Sequence, residues 1–327
     1  MARKTPLFQE KEIIVKDEKW SGQMFPVRKS AFYQISFCSK ADEKGLMFIS
    51  FYNDNQMTSD ADFCSSIEQS SDFIKNTYFF RSRSFADFAK ISLQKQNKYL
   101  FVKEISVEEK NISDVLKWLK GMAKKISSIK PFKIKKSYLT ETTQALKTGK
   151  KITVVMLGDS IVNDMSNCFF DVLLKTVYPE SEIEIIPSVR NSTGCWYYEK
   201  KDRVQKYVVD YNPDLVIIGG ISHKKNISSI KNVIQQIKDR IEPEIIITGG
   251  VFGENWISEE KTPDEFNVQL KILAEQQKVE FFDIGTYCGN YIKESGKPYE
   301  FFLRDRIHPN DYGRVILAYA LFYFFID

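Results

Sequence analysis

Between residues 25 and 107 the chain alternates short runs of period two with polar breaks. Tyr33, Ile35 and Phe37 alternate with Gln34 and Ser36, and Met47, Ile49 and Phe51 alternate with Phe48, Ser50 and Tyr52. Such alternation turns one face of each run toward a core and predicts strands. The polar stretch 40–45 between these two runs has the length of a hairpin loop, and further runs at 78–81, 88–93 and 100–107 repeat the pattern. Short strands with no helix between them predict an antiparallel sandwich or jelly roll over residues 1–110. Residues 111–149 read as a helical, basic linker. Val115, Leu116, Leu119 and Met122 have helical spacing, and the Lys-rich stretch 130–136 reads as a solvated connector.

After residue 150 the texture changes. Apolar segments at 152–157, 182–189, 215–218, 244–248 and 279–284 are separated by helical patterns. This alternation predicts a parallel sheet with helices on both faces, three layers in all, over 150–327. Ile230, Val233, Ile234, Ile237 and Ile241 form one helical stripe that should pack on that sheet. A single amphipathic helix is expected over 163–177. Thr262, Pro263, Asp264 and Glu265 read as a capping box opening another helix, and residues 315–326 as a buried helix, too short for the roughly 20 residues of a membrane span.

Composition narrows the classes of function. Apolar residues make up 43% of the 327, enough for two packed domains, and charged residues 28%. The net charge of +4 is mild for so Lys-rich a chain. No nucleic-acid reading motif accompanies it, so no nucleic-acid partner is expected. Five widely spaced cysteines, an odd number, point to reduced thiols rather than a disulfide framework. With no run of signal-peptide length near residue 1, a cytoplasmic protein is the default expectation. Trp20, Phe79, Phe80 and Phe85 could stack on sugars, but aromatics are common strand formers and the sandwich core is the favoured place for them.

Candidate chemistry centres on residues 154–164, VVMLGDSIVND. An apolar strand runs into Gly158-Asp159-Ser160, which places a serine at a strand's carboxyl end, where open α/β sheets bind ligands. A serine hydroxyl needs a base, usually histidine, and the chain has two histidines, His223 and His308. Asp305 stands three residues before His308. On a tight loop it can accept from Nδ1–H and leave Nε2 free for the serine. Ser160 alone reads equally well as a helix cap; the Asp305–His308 pair tips it toward a nucleophile.

Gly158-Asp159-Ser160 after the first strand, together with Asp305-x-x-His308 before the last helix, resembles the SGNH/GDSL hydrolases over residues 150–327. The resemblance implies a flavodoxin-like α/β/α domain with Ser160 as nucleophile, His308 as base and Asp305 as its orienter. It implies an oxyanion hole from the N–H groups of Ser160 and Gly194 and an asparagine after the third strand. Here that strand is followed by Gly219-Gly220-Ile221-Ser222-His223, without the asparagine. Ser222, Asn191 or a backbone N–H near Gly220 is the candidate replacement. Asp159 is expected to tie down the turn or touch substrate. Trp196, with Tyr197 and Tyr198, walls the pocket or packs in the core, and His223 lies in the crevice or on the surface. Cys195 reads as packing. No metal site or cofactor is expected, since the two histidines and scattered cysteines lack ligand spacing.

A β-domain ahead of this catalytic fold is similar to family 2 carbohydrate esterases. That similarity implies a carbohydrate O-acetylesterase acting on an acylated carbohydrate or other small ester. The alternatives are a glycan O-acetyltransferase with the same triad and a non-catalytic glycan-binding protein.

Overall fold

The computed structural model describes residues 6–15, 17–54, 56–57, 62–95, 99–127, 129–250 and 265–326. The chain divides between Lys120 and Gly121 into two compact units.

The first unit is an antiparallel β-sandwich. Its strands are β1 (Phe8–Ile14), β2 (Lys19–Pro26), β3 (Phe32–Ala41), β4 (Gly45–Asn53), β5 (Gln56–Met57), β6 (Phe63–Ile67), β7 (Ser70–Arg81), β8 (Phe88–Gln94) and β9 (Leu100–Lys110). One sheet runs β1-β9-β3-β7 and the other β2-β8-β4-β5, with β6 paired to β4. Every second residue of β3 is buried. Tyr33, Ile35 and Phe37 join Met47, Ile49 and Phe51 of β4 in one core. Although stretch 40–45 has hairpin length, β3 and β4 pair with different partners, so it crosses between sheets. The two apolar faces meet across the sandwich because the strands are on opposite layers.

Four strands escaped the pattern, the two-residue β5 among them. In β1, FQEKEII, only Ile13 is buried, as befits an edge strand. β2 carries a register shift between Ser21 and Met24 that breaks its alternation, and β6 is a short strand with little alternation. β7 is twelve residues long, but its first half is exposed, so only its buried end looked like strand. Phe80 lies in the core, and Phe79 is buried with its ring 5.3 Å from Trp118. Neither is a free sugar platform.

α1 (Ile112–Ile126) follows, and the second unit then builds a three-layer α/β structure. Its elements are α2 (Thr140–Thr148), β10 (Lys151–Gly158), α3 (Ser160–Ser166), α4 (Phe170–Leu174), β11 (Glu182–Val189), α5 (Cys195–Tyr198), α6 (Arg203–Tyr207), β12 (Leu215–Ile218), α7 (Ile227–Lys238), β13 (Glu244–Thr248), α8 (Glu265–Gln277), β14 (Glu280–Phe282), α9 (Ile284–Ser295) and α10 (Asp311–Phe325). The five strands are parallel, in the order β11-β10-β12-β13-β14. The chain leaves β10 to one side and returns for β12 on the other, so the crevice at such a switch point opens at the carboxyl end of β10.

Ile230, Val233, Ile234 and Ile237 of α7 pack with Val216, Ile218, Ile245 and Ile247 on one face. On β14, Phe282 stacks on Phe324 of α10 at 4.2 Å, and Phe170 stacks on Phe325. The amphipathic stretch 163–177 is two helices rather than one, because Phe169 adopts the left-handed conformation (φ 64°) between them. Thr262 to Asp264 of the expected capping box lie outside the described residues.

In the basic stretch 130–136, Lys130, Lys133 and Lys135 are exposed to solvent, while Phe132 and Lys136 anchor it. Phe132 stacks on Tyr287 at 3.8 Å, and Lys136 Nζ donates to the carbonyls of Phe324 and Ile326 at the end of α10. A cation there satisfies carbonyls that the helix leaves unpaired and complements its dipole. Among the described residues no helix is long and apolar enough to cross a membrane.

Candidate active site

Ser160 is the first residue of α3, directly after β10, and is half-buried. Its Oγ lies 2.8 Å from His308 Nε2. His308 Nδ1 lies 2.8–2.9 Å from the two carboxylate oxygens of Asp305. The carboxylate fixes Nδ1 as the protonated nitrogen and leaves the Nε2 lone pair for the serine proton. Asp305 Oδ1 also accepts from the backbone N–H groups of Ile307 and His308. Partial burial by itself would raise the Asp305 carboxyl. The His308 ring and the two amides together outweigh that and hold it well below the usual carboxylate range.

The segment carrying Asp305 and His308 is a closed loop. Leu303 bridges Pro309, the Arg304 N–H donates to the His308 carbonyl, and Asn310 caps α10 through the N–H groups of Tyr312 and Gly313. Asn310 is thus the cap of α10, and His308 takes no part in it. Beneath the loop lies a buried ionic cluster. Asp164, one turn along α3 from Ser160, accepts a bidentate pair from Arg304 at 2.8 and 2.9 Å and a longer contact from Arg314 at 3.4 Å. Arg304 also donates to the Pro309 carbonyl, and Arg314 to Asp311. The helix of the serine and the loop of the histidine are thus clamped to each other.

Asp159 does the corresponding work on the other side. It is 1% exposed. Oδ1 accepts from the Ile161 N–H, capping α3, and Oδ2 accepts from the N–H groups of Ile221 and Ser222 in the loop after β12. A carboxylate so placed is a tie between loops, with no surface left for a substrate. Gly220 packs on it at φ 106°, and a Cβ there would fall 2.5 Å from Asp159 Oδ1. The peptides after Gly220 are therefore spent on Asp159.

Gly194 begins the short helix α5 after β11. A Cβ on it would lie 2.5 Å from the Ser222 carbonyl oxygen and 2.7 Å from His223 Cα. The absent side chain thus lets two loops touch. Trp196 Nε1 donates to the same Ser222 carbonyl at 2.8 Å. His223 is buried, and its Nδ1 accepts the Cys195 N–H at 3.4 Å. Burial lowers its pKa, against smaller opposing effects of Asp159 and the Gly219 carbonyl. His223 is therefore a neutral brace between loops, neither in the open crevice nor on the surface.

Among the described residues, the N–H groups of Ser160 and Gly194 and the hydroxyl of half-buried Ser222 have no acceptor or donor within the protein. Asn191 is exposed, and its carbonyl accepts from Thr193. Tyr198 is fully buried, with its hydroxyl donating to the Gly158 carbonyl. Burial pushes the Cys195 thiol up, so it is not a thiolate nucleophile. Among the described residues no cluster of three or more His, Cys, Asp or Glu could hold a metal ion.

Asp164, Arg304 and Arg314 were not singled out by sequence reasoning. Asp164 lies on α3, Arg314 on α10 and Arg304 on the loop before α10, and no local pattern links the three.

No protein-family model and no curated protein matches the chain. Solved structures similar to it include a two-domain esterase active on acetylated mannans, at 15% identity and a TM-score of 0.47, covering 57% of this chain and 52% of that one. The match thus spans about half the length of that structure. Another is an acetylxylan esterase from Geobacillus stearothermophilus, at 19% identity and a TM-score of 0.43, covering 52% of this chain and 92% of that one.

Proposed function

We propose that the protein is a serine-dependent carboxylic ester hydrolase that removes acyl groups, in the first place acetyl, from carbohydrates. The observation that carries the reading is the continuous path from Ser160 Oγ through the His308 ring to the Asp305 carboxylate, with each step at 2.8–2.9 Å. Ser160 Oγ attacks the ester carbonyl while His308 Nε2 takes its proton. The resulting oxyanion is received by the N–H groups of Ser160 and Gly194. The Ser222 hydroxyl stands in for the asparagine that the third-strand loop lacks. Collapse breaks the bond to the sugar oxygen, and His308 returns the proton to that leaving hydroxyl. Water, deprotonated by His308, then attacks the acyl-enzyme and releases the carboxylate and Ser160.

Carbohydrate as the substrate class rests on the resemblance of the motifs and of the β-domain ahead of them. Hydrolysis is favoured over transfer to an acceptor because the acid–base pair meets solvent. The side chains of His308 and Asp305 are 19% and 39% exposed. A purely glycan-binding role would leave the Ser160–His308 hydrogen bond and the buried clamp beneath it without a purpose.

The test is turnover of 4-nitrophenyl acetate and of a panel of acetylated glycans, with mass spectrometry separating free acetate from transferred acetyl. Wild type should release acetate, and Ser160→Ala should not. Absence of turnover on every substrate would sink the reading, and an acetylated acceptor would replace hydrolysis by transfer.

A further inference from the structure

Beside the serine, the flank formed by the loops after β11 and β12 carries cations laid on aromatic rings. Arg203 lies 3.5 Å and Arg190 5.1 Å from the centre of the Tyr197 ring, Lys206 lies 5.7 Å from that of Tyr207, and Lys224 lies 4.2 Å from that of Trp196. Among the described residues none of these four cations is in an ion pair. The nearby carboxylate of Glu199 is engaged by Ser229 and Asn232 instead. Arg190, Lys206 and Lys224 are exposed and Arg203 is half-buried.

Two features mark this as a built surface rather than a scatter of lysines. Arg203 is held by its donation to the Tyr197 carbonyl as well as by the ring. Lys224 and Lys225 are consecutive non-glycine residues in the left-handed region, at φ 53° and 52°. Lysine adopts that conformation at a cost, and it persists only where the surroundings hold it. The local field is also felt by Tyr197, whose hydroxyl is lowered by a hydrogen bond from Tyr207 and then by Arg203, Arg190 and Lys206.

The surface is tied by backbone to the strand end that leads to the candidate nucleophile, and by a side chain to the loop of Ser222. The Arg190 N–H donates to the Gly158 carbonyl, two residues before Ser160. Trp196, under Lys224, is bonded to Ser222. From these observations we infer that this flank binds an anionic group, a carboxylate, sulfate or phosphate, borne by the acylated saccharide. Arginine matches such anions with paired donors. Trp196 and Tyr197 set the cations in place and so limit the entropy lost on binding. The inference rests on the esterase reading for where the scissile ester lies, but the binding it requires does not depend on turnover.

The experiment is calorimetric titration of the Ser160→Ala protein with trigalacturonate, xylotriose and inorganic phosphate. Trigalacturonate should bind at least roughly tenfold more tightly than neutral xylotriose at low salt, and weaken as ionic strength rises. Arg203→Glu and, separately, Lys224→Glu should each weaken trigalacturonate by roughly tenfold. Lys271→Glu, which makes the same change of net charge on α8, should not. Two charge reversals, one on α6 and one on the loop after β12, guard against one that fails to fold. Equal binding of the two sugars, indifference to both reversals, or phosphate binding as tightly as the trisaccharide would overturn the inference. Turnover of 4-nitrophenyl acetate by the wild type reports on the esterase reading independently of any of these outcomes.

Discussion

The two flanks of Ser160 are held by different physics. On the side of His308, a buried ion cluster of Asp164, Arg304 and Arg314 locks the serine helix to the histidine loop. On the side of Gly194 the loops are held by backbone N–H groups converging on Asp159 and by glycines that let chains touch. The difference follows from what each flank must do. Under the proposed esterase reading, the His308 loop must hold one imidazole nitrogen at hydrogen-bond distance from a hydroxyl, and a bidentate arginine gives that orientation. Under the same reading, the opposite flank must leave some N–H groups vacant for an oxyanion; Asp159 takes those of Ile221 and Ser222 and leaves those of Ser160 and Gly194 unspent.

The largest effect is expected at His308. His308→Ala should lower kcat/KM for 4-nitrophenyl acetate by roughly 10⁴-fold or more, with the fold intact by circular dichroism. A loss of less than tenfold would remove His308 from the base role. Next in size is the ionic clamp. Asp164→Ala leaves two buried arginines without their shared partner and should destabilise the protein by about 3–5 kcal/mol, read from the denaturant midpoint. If the clamp orients the histidine loop, the surviving folded protein should also lose kcat more than it gains KM.

On the other flank the expected cost is smaller. Gly194→Ala pushes a methyl into the Ser222–His223 backbone and should destabilise by about 1–3 kcal/mol. Displacing its N–H from the oxyanion would cost about 2.7–4 kcal/mol of transition-state stabilisation, seen in kcat. Unaltered kcat in a destabilised variant would leave Gly194 a packing residue alone.

The smallest effect is Asp305 and pH. Its pKa is depressed in the folded protein, so its contribution to stability is present above the ordinary carboxylate pKa of about 4 and fades as pH falls toward the folded value. The difference in melting temperature between wild type and Asp305→Asn should therefore be largest near neutral pH and shrink below about pH 4. A difference that grows on acidification would contradict the direction of the shift.

Much of the fold was legible because burial writes itself into sequence with a period. β12 is apolar throughout and β13 is apolar from Ile245 to Ile247, as strands covered on both faces are, and α7 shows its stripe. The edge strand β1 and the exposed half of β7 were not legible, since solvent-facing residues carry no periodic constraint. The break at Phe169 hid inside an amphipathic pattern, because a single left-handed residue changes the direction of a helix without changing its polarity.

Ser160, Asp305 and His308 could be singled out from sequence because each sits at an element boundary that local signals mark. A strand end, a tight loop and a helix start are properties of a few neighbouring residues. The partners of Asp159 and Asp164 are not local. Asp164 meets Arg304 across 140 positions, and Asp159 meets Ser222 across 63. Their charges look like ordinary surface residues until the fold removes water from around them and leaves each carboxylate only protein donors. Sequence alone thus determined the layered architecture and the candidate reacting groups. Tertiary structure decided how the two flanks hold those groups, because pairing of buried charges depends on which distant segments share a dry site.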